Sequence, residues 1–442
     1  MIRNKIFWTL DLFKGGKIKN EYNEIKYIQE NLEVEESRNL QKRKLKRLLN
    51  HAVLTTDFYK NRISGKGSKL SDFPVIDKNI IISHYDGFKS EIFLNKVNFP
   101  AYTSGSTGTP FKIYQDAAKK DRNAADVIYF AKLSGFELGD KLYYIRHWDE
   151  YNSRSKFETW KRNIHMHPVS KLADSDVVEL LDNIKTSSGS RKGIIAYASA
   201  LNVLRDYIIK HDLKPLKGAS VSSIVAMSEA LNDRTKEVVG NFFGAKVVSR
   251  YSNVENGIIA QQLRGDKNCF HINWASYFVE ILDLNSDKPA RKGELGRIVI
   301  TDLFNYCMPM IRYDTGDIGM LNYQENILEE YPILMNIEGR KMDMIYDSEG
   351  RFVSSYAVYN ILKYPNIRQY QFIQEDDKKY TFKLNVDPEF KYELQIKNEF
   401  IKLLGEDVQI DFQYVTEIPL LSSGKRKLVI NRKSRDSFST LS

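Results

Sequence analysis

Two cysteines, Cys269 and Cys307, are all that a chain of 442 residues carries. That excludes a disulfide framework and a four-thiolate zinc site, and it makes a reducing cytosol the simplest home. No apolar run approaches the roughly 18 residues that cross a bilayer. The opening MIRNKIFWTLDLFKGG breaks its short apolar stretch with charges, unlike a secretory signal, so a cytoplasmic protein is expected. Neither charge sign dominates: 66 Lys and Arg face 57 Asp and Glu, a net +9. An excess so modest and so evenly spread suits anionic small molecules, polysaccharides or a lipid surface and does not argue for nucleic acid. With 42% hydrophobic and 28% charged residues and no internal repeat, the chain reads as globular. Its length allows three domain-sized units or one large and one small.

Periodicity then organises the chain. Glu35 to Tyr59 carries leucines and valines at helical spacing with basic residues between them, an amphipathic helix with a solvated charged face. Ile6, Phe7, Trp8, Leu10 and Phe13, flanked by Lys5 and Lys14, could form a weak interfacial helix, although an ordinary packed segment is the favoured reading. From Tyr102 onward the runs KLYYI, GIIAYA, SIVAM, AKVVSRY and GRIVIT are strand-like and alternate with helical stretches such as Ser199 to His211, with Ser199 as the expected N-cap. The alternation predicts an α/β fold with mixed or parallel sheets. A second zone near Gly339 contains the strands YQFIQ and KYTFKLNV, a charged turn at Asp376 to Lys379, a helix Pro388 to Leu404 and the strand VQIDFQYV. That content suffices for a small α+β domain.

The most informative stretch is Ala101 to Pro110, AYTSGSTGTP, with two glycines and five Ser or Thr in ten positions. Its amides and hydroxyls can wrap a phosphate chain while glycine avoids clashes. It is not a Walker loop, because Gly105 and Gly108 are three apart and no Gly-Lys pair follows.

TSGSTGTP resembles the phosphate-loop signature of the adenylate-forming superfamily of acyl-CoA ligases, amino-acid-activating domains and luciferases. Further stretches match that family in order: Tyr197-Ala-Ser-Ala-Leu201, Ser228-Glu-Ala-Leu231, Tyr251-Ser-Asn-Val-Glu255, Arg312-Tyr-Asp-Thr-Gly-Asp317, Gly339-Arg340-Lys-Met-Asp343 and Ser423-Gly424-Lys425. LLNHAVLTTDFYKNR followed by FPVIDKNII narrows the likeness to the phenylacetate-CoA ligase-like branch associated with capsular polysaccharide synthesis. The resemblance implies a large adenylation domain over 1–338 with mixed sheets and helices, and a small mobile α+β lid over 339–442. It implies ATP and Mg²⁺ as cofactors, with CoA as one acceptor, and a reaction in which a carboxylate attacks the α-phosphorus, pyrophosphate leaves and the acyl-adenylate passes to CoA or to an amine or hydroxyl.

By the same resemblance, Thr103, Ser104, Gly105, Ser106, Thr107 and Gly108 hold phosphates, Glu255 binds Mg²⁺, and Asp317 accepts from the ribose hydroxyls. Tyr251, Ser228 and Glu229 line the adenine and substrate side. Arg340 and Lys425 meet charge developing at the α-phosphate, Lys425 arriving with the lid, and Lys427 is the fallback lysine.

The chain departs from the pattern at Ser252, where the family has glycine, at Met342, where it has an acid, and along Asp347 to Ser355, which keeps only Gly350 and Val353 of a CoA-tunnel segment. CoA is thereby a less secure expectation than adenylation. His165-Met-His167 and Cys269-Phe-His271 have spacings a metal could use; a polar loop and a buried thiol beside a strand are the favoured readings. The aromatics of KLYYIRHWDEYN are expected to line the core and the acyl pocket. A catabolic aryl- or acyl-CoA ligase and a non-catalytic nucleotide-binding scaffold are the competing functions. A small-molecule acid and an acyl acceptor are the expected partners.

Overall fold

A computed structural model of the chain describes residues 2–63, 69–103, 111–148, 153–187, 191–266, 268–322, 332–340, 345–353, 358, 360–419 and 427–432. The class is mixed α/β, as the alternation of periodicities implied. The described α-helices are α1 (Ile2–Phe13), α2 (Lys17–Glu30), α3 (Glu35–Thr55), α4 (Asp57–Lys60), α5 (Lys78–Ser83), α6 (Ala117–Leu133), α7 (Lys156–Arg162), α8 (Asp174–Thr186), α9 (Ala198–Lys210), α10 (Asp233–Phe243) and α11 (Glu393–Leu404).

A two-stranded hairpin, β1 (Phe99–Thr103) with β2 (Phe111–Gln115), brackets the Ser/Thr/Gly stretch and pairs Thr103 with Phe111. The large sheet takes β3 (Lys141–Arg146), β4 (Ile164–Pro168), β5 (Lys192–Tyr197), β6 (Val221–Met227), β7 (Val247–Asn253), β8 (Gly257–Gln261), β9 (Cys269–Ile272), β10 (Tyr277–Leu282), β11 (Gly296–Asp302), β12 (Tyr313–Asn322) and β13 (Ile333–Arg340). Their spatial order is β10-β11-β12-β13-β9-β8-β7-β6-β5-β3-β4. The run from β4 to β7 is parallel and the remainder antiparallel.

The parallel strands are buried by helices, which explains their continuous apolar character. Ile194, Ala196, Ile224 and Ala226 meet Leu180, Leu204 and Phe242 from α8, α9 and α10 in one core. Elsewhere α2 lays Tyr22, Ile25 and Ile28 against Ala125, Tyr129 and Phe130 of α6. A further sheet, β14 (Ile345–Tyr346) with β15 (Phe352–Val353), leads to a four-stranded one made of β16 (Ile367–Asp376), β17 (Lys379–Val386), β18 (Gln409–Tyr414) and β19 (Val429–Asn431), ordered β18-β17-β16-β19. Among the described residues its core, with Phe372, Phe382 and Phe400 in mutual ring contact, draws on residues 345–429.

Several expectations need correction. The helix expected over Glu35 to Tyr59 is two helices, because Thr56 is extended and turns its hydroxyl back onto Ala52 O at 2.8 Å. The helix expected from Pro388 starts at Glu393, so its proline lies ahead of the first turn. Ser199 does not cap α9; Tyr197 holds the N-cap position and its side chain makes no capping bond. His165 and His167 lie on strand β4 rather than in a loop, and Cys269 lies within β9 and is only half-buried.

Candidate active site

In an open α/β sheet, ligands collect at the carboxyl ends of the strands where the connections diverge. Here β3 connects outward to β4 while β5 continues the other way to β6, so the divergence falls between β3 and β5. Arg146 ends one strand and Tyr197 the other, and Met227, Tyr251 and Asn253 stand at the ends of the next two.

Ser228 follows β6 with φ of 76°, a left-handed conformation that costs a serine energy and marks a constrained turn. Glu229, next along, accepts from the Ser199 N–H at 3.0 Å. A carboxylate from a neighbouring loop thus does at the α9 N-terminus what a serine cap was expected to do, aided by the helix dipole.

Tyr251 and Asp317 come together across the sheet. The Tyr251 hydroxyl donates to Asp317 Oδ2 at 2.8 Å and lies 3.2 Å from Thr315 Oγ1. Burial first, and then the Asp317 carboxylate, push the phenol well above its ordinary range, so it remains a donor. Thr315 Oγ1 accepts from the Asp317 N–H at 3.2 Å and donates to Ile298 O at 3.0 Å. The turn is tight because Gly316 takes φ of 79° and gives its N–H to Asp314 Oδ1 at 2.9 Å. Asp314 is itself pinned by Arg297 at 2.8 Å.

One turn beyond β7, Glu255 Oε1 accepts from the Tyr313 hydroxyl at 3.3 Å, and its main-chain carbonyl accepts from Gln115 Nε2 at 3.0 Å. Gln115 ends β2, so the hairpin that carries the Ser/Thr/Gly stretch is tied to the Glu255 turn. Thr103 closes β1 at the other side of that hairpin. Arg340 stands opposite Asp317 in the β12–β13 register. The Lys427 carbonyl accepts from Gln371 Nε2 at 2.7 Å, which ties that residue to β16. Ser104, Gly105, Ser106, Thr107, Gly108, Met342, Asp343 and Lys425 lie outside the described residues.

Arg312, the first residue of the RYDTGD stretch, serves the scaffold: it pairs with Glu280 at 3.2 Å and donates to Phe73 O at 3.0 Å. Among the aromatics of KLYYIRHWDEYN, Tyr143 is core, with its hydroxyl on Asn183 and Ser187, whereas Tyr144 points the other way and reaches Met227 Sδ at 3.9 Å. Sequence reasoning missed Arg146 and Arg250; a cation near the carboxyl end of an otherwise apolar parallel strand was the available signal. His167 bonds Lys171 O at 2.6 Å and His271 bonds Asp266 at 3.0 Å. No group of three His, Cys, Asp or Glu able to hold a metal occurs among the described residues.

Residues 345–432 match the family model of the CapK C-terminal domain. Across 97% of this chain and 95% of the other, the sequence is 23% identical to Protein CapK of Staphylococcus aureus. Over 28% of this chain and 29% of the other it is 27% identical to the phenylacetate-coenzyme A ligase of Thermus thermophilus. Among solved structures, 2-hydroxyisobutyryl-CoA ligase in its postadenylation state superposes with a TM-score of 0.70 at 16% identity, over 92% of each chain. In its thioesterification state the same ligase gives 0.57, over 92% of this chain and 93% of that one, also at 16% identity. Fold, near-full-length likeness and C-terminal domain point the same way: the chain has the fold of 2-hydroxyisobutyryl-CoA ligase, is similar over nearly its whole length to Protein CapK, and matches the CapK C-terminal domain over residues 345–432.

Proposed function

We propose that the protein activates a carboxylic acid with ATP, releasing pyrophosphate, and passes the acyl group from AMP to CoA or to an amine or hydroxyl of a surface-polysaccharide precursor. The observation that carries this reading is the Tyr251–Asp317–Thr315 cluster set across from the Glu255 turn, with the β1–β2 hairpin fastened to that turn through Gln115.

Asp317, its Oδ2 held by the half-buried Tyr251 phenol, offers carboxylate oxygens to the ribose hydroxyls. Ser104, Ser106, Thr107 and the Gly105 and Gly108 amides take the phosphates, with Thr103 setting where the loop leaves β1. Ser228 and Glu229 shape the floor between adenine and acid. Arg340, on the strand opposite Asp317, and Lys425 supply positive charge for the α-phosphate. Glu255 offers hard carboxylate oxygen, which suits Mg²⁺, and the ion when bound neutralises phosphate charge. The likeness to 2-hydroxyisobutyryl-CoA ligase, whose two states hold an acyl-AMP and an acyl-AMP with CoA, supports an acyl-adenylate with CoA or another acceptor downstream. We assign the work to the cytoplasm; no described helix is long and apolar enough to cross a membrane.

The test is ATP–pyrophosphate exchange against uronic, amino and aryl acids, with and without CoA. Exchange that needs one acid and falls by about 100-fold or more in Asp317→Ala is expected. An Asp317→Ala variant that exchanges as well as the parent would overturn the assignment.

A further inference from the structure

Arg250 carries a charge that no carboxylate among the described residues answers. In the register of β6 with β7, Arg250 is paired with Met227, so both side chains leave the sheet on one face. Met227 is there in contact with the Tyr144 hydroxyl at 3.9 Å. Arg250 Nε donates to Gln261 Oε1 at 2.8 Å, but Nη2 is shut off from solvent and has no hydrogen-bond partner among the described residues. Among the described residues no carboxylate pairs with this guanidinium. Burial lowers it to about 10, eased only by the Tyr144 phenol, so it is still a cation at neutral pH.

The neighbourhood adds positive charge. Arg146 lies over the rings of Trp148 at 5.4 Å and Tyr144 at 5.6 Å. Arg154 has an enclosed Nε without a partner and feels repulsion from Arg162 and Arg146, with Glu158 as its acidic neighbour. Glu229, which follows β6, accepts from the Ser199 N–H. A buried cation left unanswered is costly, and a fork of N–H donors beside an aromatic wall is built for a planar anion.

Resting on the acyl-activating reading above, we infer that Arg250 is a specificity-determining residue and that the acid substrate bears a second anionic group, a carboxylate or a phosphate, which docks on it while the first carboxylate is activated. An acid with a neutral or apolar tail would leave the guanidinium dehydrated and unpaired, which is the strongest form of discrimination a polar pocket offers.

The experiment measures equilibrium binding by titration calorimetry, with parent protein, Arg250→Met and Arg250→Lys. The probes are matched pairs: L-glutamate with L-glutamine, L-aspartate with L-asparagine, and C4 to C6 dicarboxylates with their monomethyl esters, while phosphonocarboxylates of the same lengths separate a phosphate from a carboxylate. The parent is expected to bind the dianionic member of at least one pair about 30-fold or more tightly than its neutral mate. Arg250→Met should erase that ratio while leaving ATP binding unchanged, and Arg250→Lys should retain part of it. No preference for any dianion, or a preference that survives Arg250→Met, overturns the inference. Pyrophosphate exchange run in parallel separates the two claims: exchange with a mono-acid, equal in parent and Arg250→Met, would sink the role of Arg250 and leave acyl activation standing.

Discussion

Tyr251 shows what a single hydroxyl contributes. It sits between Asp317 and Thr315, and removing it leaves a half-buried carboxylate with one donor fewer. Tyr251→Phe should raise the KM for ATP about 5- to 15-fold, the equivalent of about 1–1.5 kcal/mol for one hydrogen bond, with kcat little changed; a kcat loss with unaltered KM would show that the phenol acts in the transition state instead. Histidines supply the pH dependence. Burial holds His51 and His165 below the usual imidazole range, His51 while bonded to Tyr306 O at 2.8 Å and His165 beside His167. The folded form resists their protonation, so below the unfolded value of about 6.5 the unfolded chain binds protons first and stability declines as pH falls. A His51→Gln, His165→Gln double variant should flatten the change in urea midpoint between pH 7.5 and 5.5, and an unchanged slope would place the titration elsewhere. These residue-scale features divide by legibility. Asp317, Glu255 and Tyr251 stood in ordered motifs, whereas Arg250 offered only a cation near the end of an apolar strand, and its lack of a carboxylate partner among the described residues is visible only in space.

Among the elements, two glycines near the site make a controlled comparison. Gly316 has φ of 79° with open space where a Cβ would go, so Gly316→Ala should cost only the conformational penalty, about 1–2 kcal/mol. Gly257 has φ of 114°, and a Cβ there would meet Asn123 Oδ1 at 2.9 Å and the Tyr277 hydroxyl at 3.1 Å. Gly257→Ala should therefore lower the thermal midpoint clearly more than Gly316→Ala, while Gly316→Ala should weaken ATP binding more; equal effects of both on both readouts would contradict the geometry. Strand identity was readable from β-rich runs, and β17 runs over KYTFKLNV as expected. Helix starts were less readable. Ser199 has the composition of a cap, yet the bond goes to Glu229, a residue 30 positions away, and no local rule sees a partner at that distance. The break at Thr56 likewise depends on an i−4 hydroxyl bond within an unbroken helical pattern.

For the whole molecule, the core beneath the four-stranded sheet is closed, among the described residues, within residues 345–429. We expect a fragment of residues 339–442 to fold alone, and Phe372→Ala in the full chain to cost about 3–5 kcal/mol in that unit only. Calorimetry should then show one transition moving down and another staying; a single transition shifting as a whole would mean that the two parts unfold together. Mixed α/β class was legible because alternating periodicities allow few layer arrangements. The strand order was not, since it depends on long-range pairing. The place of β13 has a consequence for synthesis. This last strand of the large sheet is threaded between β9 and β12 in its interior. Until Arg340 has left the ribosome, about 20–70 s after initiation at usual elongation rates, strands made much earlier present bare edges in a crowded cell. Nascent chains of this protein should accordingly lean on chaperones up to that point of translation and release them soon after it.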